Sequence, residues 1–262
     1  MTGNLRYKQK KPSKKVEPPK TEHREFFKYS NEAVLLRCQP NSYMDTVKKF
    51  SKKQVDEVKN MGFGAILDMN INHISTRLAY WLARNFDEKF DTLNIGKHQI
   101  KITSDTVYEV FGIPKGAKPV EIIVDKRKVK KVDKIEKSKE PGNAIRDIFI
   151  SRWGENARIT RGLIATAMDN QRDGGSLFRL NFLVYRMTFF AEITKATTAN
   201  DRCLLGVEVV EDIQNLDWCS YLLDTLRRTR AGWNSSWDLL PFIRYALLHL
   251  INIFKRLVCF VI

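Results

Sequence analysis

Apolar positions recur three and four residues apart along most of this chain, and one short stretch alternates instead. The helical pattern starts near Phe50. Ser51-Lys52-Lys53-Gln54 has the form of a capping box, and Val55, Val58 and Met61 follow at helical spacing until Gly62-Phe63 stops them; Gly64 frees the chain to start again. Ser75 is placed to cap a second helix with Leu78, Trp81, Leu82 and Phe86 on one apolar side. After Asp87 the period drops to two. Leu93 and Ile95, then Ile100 and Ile102, predict two short strands with Gly96-Lys97-His98-Gln99 as the turn between them. Thr103 can cap the next helix, which carries Val107, Val110 and Phe111 and ends at Gly112-Ile113-Pro114.

Between Lys115 and Gly142 the pattern stops, apart from a Val120 to Val124 run that predicts an edge strand. From Asn143 it is helical again. Ala144, Ile145, Ile148 and Phe149 form one amphipathic set; Thr160 can cap a second helix with Leu163, Ile164, Ala167 and Met168, and Asp173-Gly174-Gly175 breaks it. Leu177 to Ala191 is apolar on nearly every side, as expected of a helix surrounded by others. Leu216 to Arg230 pairs an apolar stripe (Cys219, Leu222, Leu223, Leu226) with Arg227, Arg228 and Arg230, cations that suit the negative end of a helix dipole.

The fold class expected is mainly α with a small antiparallel β-hairpin: a winged-helix-like N-terminal module followed by a helical bundle. Residues 1–40 read as a disordered basic tail, 41–124 as the helix and hairpin module, 125–141 as a basic linker and 142–262 as a helical half whose end after 233 is atypical.

Charge sharpens this division. Of the formal +15, residues 1–28 supply a net +6 and residues 125–139 a net +5, so the folded remainder is only mildly basic. Such a balance favours anionic partners, nucleic acid first. Lys126, Arg127, Lys128, Lys130 and Lys131 form a compact cluster in the linker, and Lys10, Lys11, Lys14 and Lys15 a second in the tail. Both are candidate import signals, recognised by an import receptor as exposed cations on extended chain; the alternative is ordinary solvated charge.

A constellation for catalysis is not visible. His23, His73, His98 and His249 lack neighbours at metal-ligand spacing, and no phosphate loop, dinucleotide fingerprint or nucleophile elbow occurs, so neither metal nor cofactor is expected. Cys38, Cys203, Cys219 and Cys259 are too scattered for a disulfide scaffold and read as reduced thiols. Cys259-Phe260-Val261-Ile262 has the shape of a prenylation box, with an untypical final isoleucine. The apolar run from Asp238 is interrupted by Arg244, Lys255 and Arg256, which favours a packed helix over a membrane span.

Gly62-Phe63-Gly64, Leu78 with Trp81-Leu82, Phe86-Asp87, Ile102-Thr103 with Asp105 and Val107, Gly112-Ile113-Pro114-Lys115-Gly116, and Leu216-Asp217-Trp218-Cys219 with Trp233 together resemble a plant transposon-associated family. It is the family related to the aminotransferase-like, plant mobile domain proteins. The resemblance spans roughly Met44 to Trp233 and implies a nuclear domain of transposable-element origin with nucleic-acid or chromatin partners; the cytoplasm is the alternative location. The word aminotransferase would require a pyridoxal phosphate lysine, and no lysine here is singled out by its surroundings. Beyond Trp233 the likeness fades, and the end reads as truncated or misspliced. The helix after Ser75 would present Arg77, Tyr80 and Arg84, at i, i+3 and i+7, to nucleic acid. A protein-interaction scaffold without DNA affinity and a transferase-like enzyme, as the family label hints, are the competing readings.

Overall fold

A computed structural model describes residues 40–69, 76–121, 144–154, 157–192 and 197–231, the side chains of residues 40 and 76–80 excepted. The architecture is mainly helical with a small antiparallel sheet. Helix α1 (Pro40–Val47) precedes the expected start at Phe50 and drops Tyr43, Met44 and Val47 into the core. Its apolar set is too brief to show a period, and packing rather than pattern recruits it. Helix α2 (Lys52–Asn60) opens with the capping box of Ser51 and Gln54. It closes with a paired cap: Gly62, at φ 80°, donates its N–H to Lys59 O, and Phe63 donates to Val58 O. A 3-10 turn over Gly64–Ile66 follows.

Helix α3 (Thr76–Asn85) runs straight into the sheet. Strands β1 (Phe86–Asp87), β2 (Thr92–Ile95) and β3 (His98–Lys101) are antiparallel in that order, with Phe86 opposite Leu93 and Leu93 opposite Ile100. The hairpin therefore has a third strand, which two residues could not announce by alternation. Its turn is also shorter than expected. Ile95 pairs with His98, so only Gly96 and Lys97 turn the chain, and Gly96 supplies the positive φ of 58°. Helix α4 (Ser104–Phe111) carries a capping box between Thr103 and Thr106 and ends on Gly112 in the left-handed region.

Of the edge strand expected over Val120 to Val124, only Val120 and Glu121 are described, and neither is in a strand. Strand β4 (Lys118–Pro119) pairs in parallel with β5 (Leu216–Asp217), while residues 122–124 lie outside the described part. Leu216 and Asp217 are consequently strand rather than first turn, and helix α8 (Trp218–Ala231) begins after them. Asp217 accepts the Ser220 backbone N–H at 2.9 Å in the manner of a cap.

Helix α5 (Ala144–Ser151) packs on the 3-10 turn Arg202–Gly206, which in turn meets α7 (Ser176–Phe190), and α6 (Arg161–Asp169) packs along α7, in which Phe178 and every residue from Leu180 to Phe190 is buried. The α7 segment even takes Arg186 inside, its guanidinium 3.4 Å from the Phe190 ring centre and 5.7 Å from that of Tyr43. Side chains from both halves of the chain share one core. Phe63 lies 6.0 Å from Phe182 and 6.1 Å from Trp218, ring centre to ring centre. Polar ties reinforce the join: buried Gln54 donates to Met168 O at 2.6 Å, and Arg179 pairs with Glu57. Among the described residues no helix is long and apolar enough to cross a membrane.

Candidate nucleic-acid interface

The α3 helix and the sheet behind it are positioned by one buried stripe. Leu82, Ala83, Phe86 and Leu93 are all in the core, each large apolar side chain stabilising by about 1.5–3 kcal/mol, which fixes the register of α3 against β2. With that stripe inward, Arg84 faces solvent. The backbone of Arg77 and Tyr80 lies in α3, but their side chains lie outside the described part, so of the three expected contacts only Arg84 is placed. The import candidates Lys10, Lys11, Lys14, Lys15, Lys126, Arg127, Lys128, Lys130 and Lys131, and the lipidation candidate Cys259, also lie outside it.

The three arginines of α8 do more than complement a dipole. Arg227 reaches Asp91 with two parallel hydrogen bonds, Nε to Oδ1 at 2.6 Å and Nη2 to Oδ2 at 2.7 Å, and also holds Asp224. Arg228 pairs with buried Glu192 at 3.1 Å. Arg230 donates to Phe86 O at 3.1 Å and approaches Glu88 at 3.9 Å. These are occupied, structural cations. Arg227 and Arg230 clamp the β1–β2 connection onto α8, a role that no spacing along the helix could reveal because the partners lie more than a hundred residues away.

The clamp has an electrostatic consequence for the sheet. Asp91 and Glu88 face arginines, and Asp87 accepts the backbone N–H groups of Lys89 and Phe90 at 2.9 and 3.2 Å. The acids of this connection are thus engaged, Asp91 by Lys101 at 3.9 Å as well as by Arg227, while Lys89, Lys97, His98 and Arg84 are exposed. Phe90, next to Lys89 at the end of the hairpin away from the Gly96-Lys97 turn, is 65% exposed. The composition of the turn offers no sign of this sorting, since residues 87–91 contain three acids and one lysine.

The Arg227 hydrogen bonds hold the Asp91 carboxyl below the usual carboxylate range. A depressed pKa of this kind contributes stability above the unfolded value of about 3.9 and loses it as pH falls through the folded one. Arg227→Ala should therefore destabilise the fold by about 1–2 kcal/mol at neutral pH, less than a fully buried pair because 39% of the Arg227 side chain remains exposed. In urea titrations the difference from wild type should shrink below about pH 4; a difference independent of pH would show that packing, not charge, holds the turn.

Two other places offer less. An open hollow of about 420 Å³ is lined by Asp105, Tyr108, Lys115, Gly116 and Gln214, and its two charges neutralise each other in an ion pair. The thiols of Cys203 and Cys219 are buried; burial pushes Cys219 up to about 12 and Cys203 well above its ordinary value, so neither is a nucleophile as placed. Among the described residues no three His, Cys, Asp or Glu side chains are grouped to hold a metal.

No curated protein and no solved structure matches the chain. Residues 36–241 match the family described as a domain of unknown function, DUF8566, which takes in the helices, the three-stranded sheet and the arginine clamp together, and the chain belongs to that family.

Proposed function

We propose that this chain is a noncatalytic nuclear domain of transposable-element origin that binds nucleic acid through α3 and the adjoining sheet. The observation that carries this reading is the sorting of charge: carboxylates of the β1–β2 connection are held by α8, by Lys101 or by backbone, and Lys89 of that connection, Lys97 of the hairpin turn and Arg84 of α3 are exposed. Exposed cations on one helix-and-sheet unit suit a phosphate backbone. The order helix, then hairpin, also supports a helix-and-wing mode in which α3 meets a groove and the Gly96-Lys97 turn meets the flanking backbone. The resemblance to the plant transposon-associated family supports the nuclear setting, and the basic segments at Lys10 to Lys15 and Lys126 to Lys131 would serve the import receptor.

Binding of labelled duplex and single-stranded oligonucleotides, followed by fluorescence anisotropy across a salt series, tests it. The double variant Lys89→Glu, Lys97→Glu should weaken binding and reduce the salt slope by about one for each phosphate no longer neutralised. Arg77→Glu with Arg84→Glu should act the same way on the helix side. An unchanged affinity and slope in both variants would remove this face, and absence of any wild-type binding would leave the protein-interaction scaffold as the better reading.

A further inference from the structure

We propose that Phe90 is a stacking platform for an unpaired nucleic-acid base, which makes single-stranded nucleic acid the preferred ligand of this face; this rests on the nucleic-acid reading above and narrows its substrate class. Phe90 is the most exposed large apolar side chain among the described residues. A phenyl ring in a loose loop can fold back onto the surface, but the backbone that carries this one is held from several directions. Its N–H is bound by the Asp87 carboxylate, and its carbonyl accepts the Lys101 ammonium. The next residue, Asp91, sits in the left-handed region at φ 51°. That conformation costs a non-glycine residue energy and persists where surroundings hold it. Here Ile102 donates to Asp91 O at 2.7 Å while Arg227 grips the carboxylate with two bonds. The turn is built to keep the ring in water.

The surroundings of the ring select the ligand. A protein-docking patch needs several hundred Å² of contiguous apolar surface, and Phe90 is instead flanked in the chain by exposed Lys89 and by Asp91, with the Lys101 ammonium on its own carbonyl. One ring matches one base, and the exposed Lys89 next to it in the chain suits a neighbouring phosphate. Bases within a duplex already stack on one another and offer no free face. Stacking on Phe90 therefore distinguishes single strands from duplexes, while Lys89 acts on both.

The test measures full-length protein on a labelled single strand of mixed sequence and on its duplex, at several salt concentrations, for Phe90→Ala, Phe90→Trp and Lys89→Glu. Phe90→Ala should weaken single-strand binding about tenfold. It should leave the salt slope and the duplex affinity unchanged, because no charge is removed. Phe90→Trp should retain single-strand affinity. Near-UV circular dichroism verifies that the alanine variant keeps the native fold, as an exposed side chain should allow. Wild-type affinity of Phe90→Ala for the single strand, alongside weakening of both ligands by Lys89→Glu, would overturn stacking while sustaining nucleic-acid binding. Failure of the wild type to bind either ligand would overturn both proposals.

Discussion

Replacing Trp218 with alanine is expected to cost about 3–5 kcal/mol, a large part of the roughly 5–15 kcal/mol by which a domain is stable. Trp218 has no exposed surface, and its ring lies 5.7 Å from that of Tyr221 and 6.1 Å from that of Phe63. Its indole N–H donates to Ile213 O at 2.7 Å, and its backbone N–H donates to Pro114 O at 3.1 Å. One residue thus joins the turn after α2, the segment before β5 and the start of α8. Alanine would leave a cavity and would strip from the Ile213 carbonyl one of its two donors, the other being the Leu216 N–H. Urea denaturation should show a lower midpoint with an unchanged slope, and Trp218→Phe, which keeps most of the ring and loses the hydrogen bond, should cost about 1–3 kcal/mol. Equal losses for the two variants would show that the hydrogen bond, rather than the volume, is what matters.

Gly116→Ala should be nearly as damaging, at about 3 kcal/mol. A Cβ on Gly116 would lie 1.9 Å from Asn215 O and 2.1 Å from its carbonyl carbon, and backbone cannot swing aside as a flexible side chain would. The close approach is needed because the Gly116 N–H donates to Leu216 O at 3.2 Å and leads into the β4–β5 pairing. Gly96→Ala is the contrast. Nothing lies within 4 Å of the added carbon there, so only its φ of 58° is strained and about 1 kcal/mol is expected. If thermal melts rank Gly96→Ala as the worse of the two, the approach of Gly116 to Asn215 is not what the fold requires.

Gly116 illustrates why part of this structure was legible and part was not. Gly112-Ile113-Pro114-Lys115-Gly116 identifies itself locally as a helix stop, and Gly112 does stop α4 in the left-handed region. Gly116 has a different task, set by Asn215, and no window along the chain contains both residues. The same distinction runs through the candidate interface. Arg77, Tyr80 and Arg84 follow from helical period alone, whereas Lys89, Phe90 and Lys97 emerge only when the acids between them are seen to be engaged from α8 or by nearby backbone. Arg227, Arg228 and Arg230 show the converse error of locality: a sufficient local reason, the helix dipole, concealed partners at Asp91, Glu192 and Glu88.

Local chemistry alone determined the caps at Ser51, Thr103 and Thr160, the stops at Gly62 and Gly112, the all-round burial of α7 and the mainly helical class, since each depends on backbone and side-chain groups within a few residues. Tertiary structure decided the recruitment of α1, the third strand, the parallel pairing of β4 with β5, and which charges of the sheet remain outward. Those features depend on long-range contacts whose stabilisation is collected only when distant segments meet, and the exposed ring of Phe90 on its clamped turn is their most specific product.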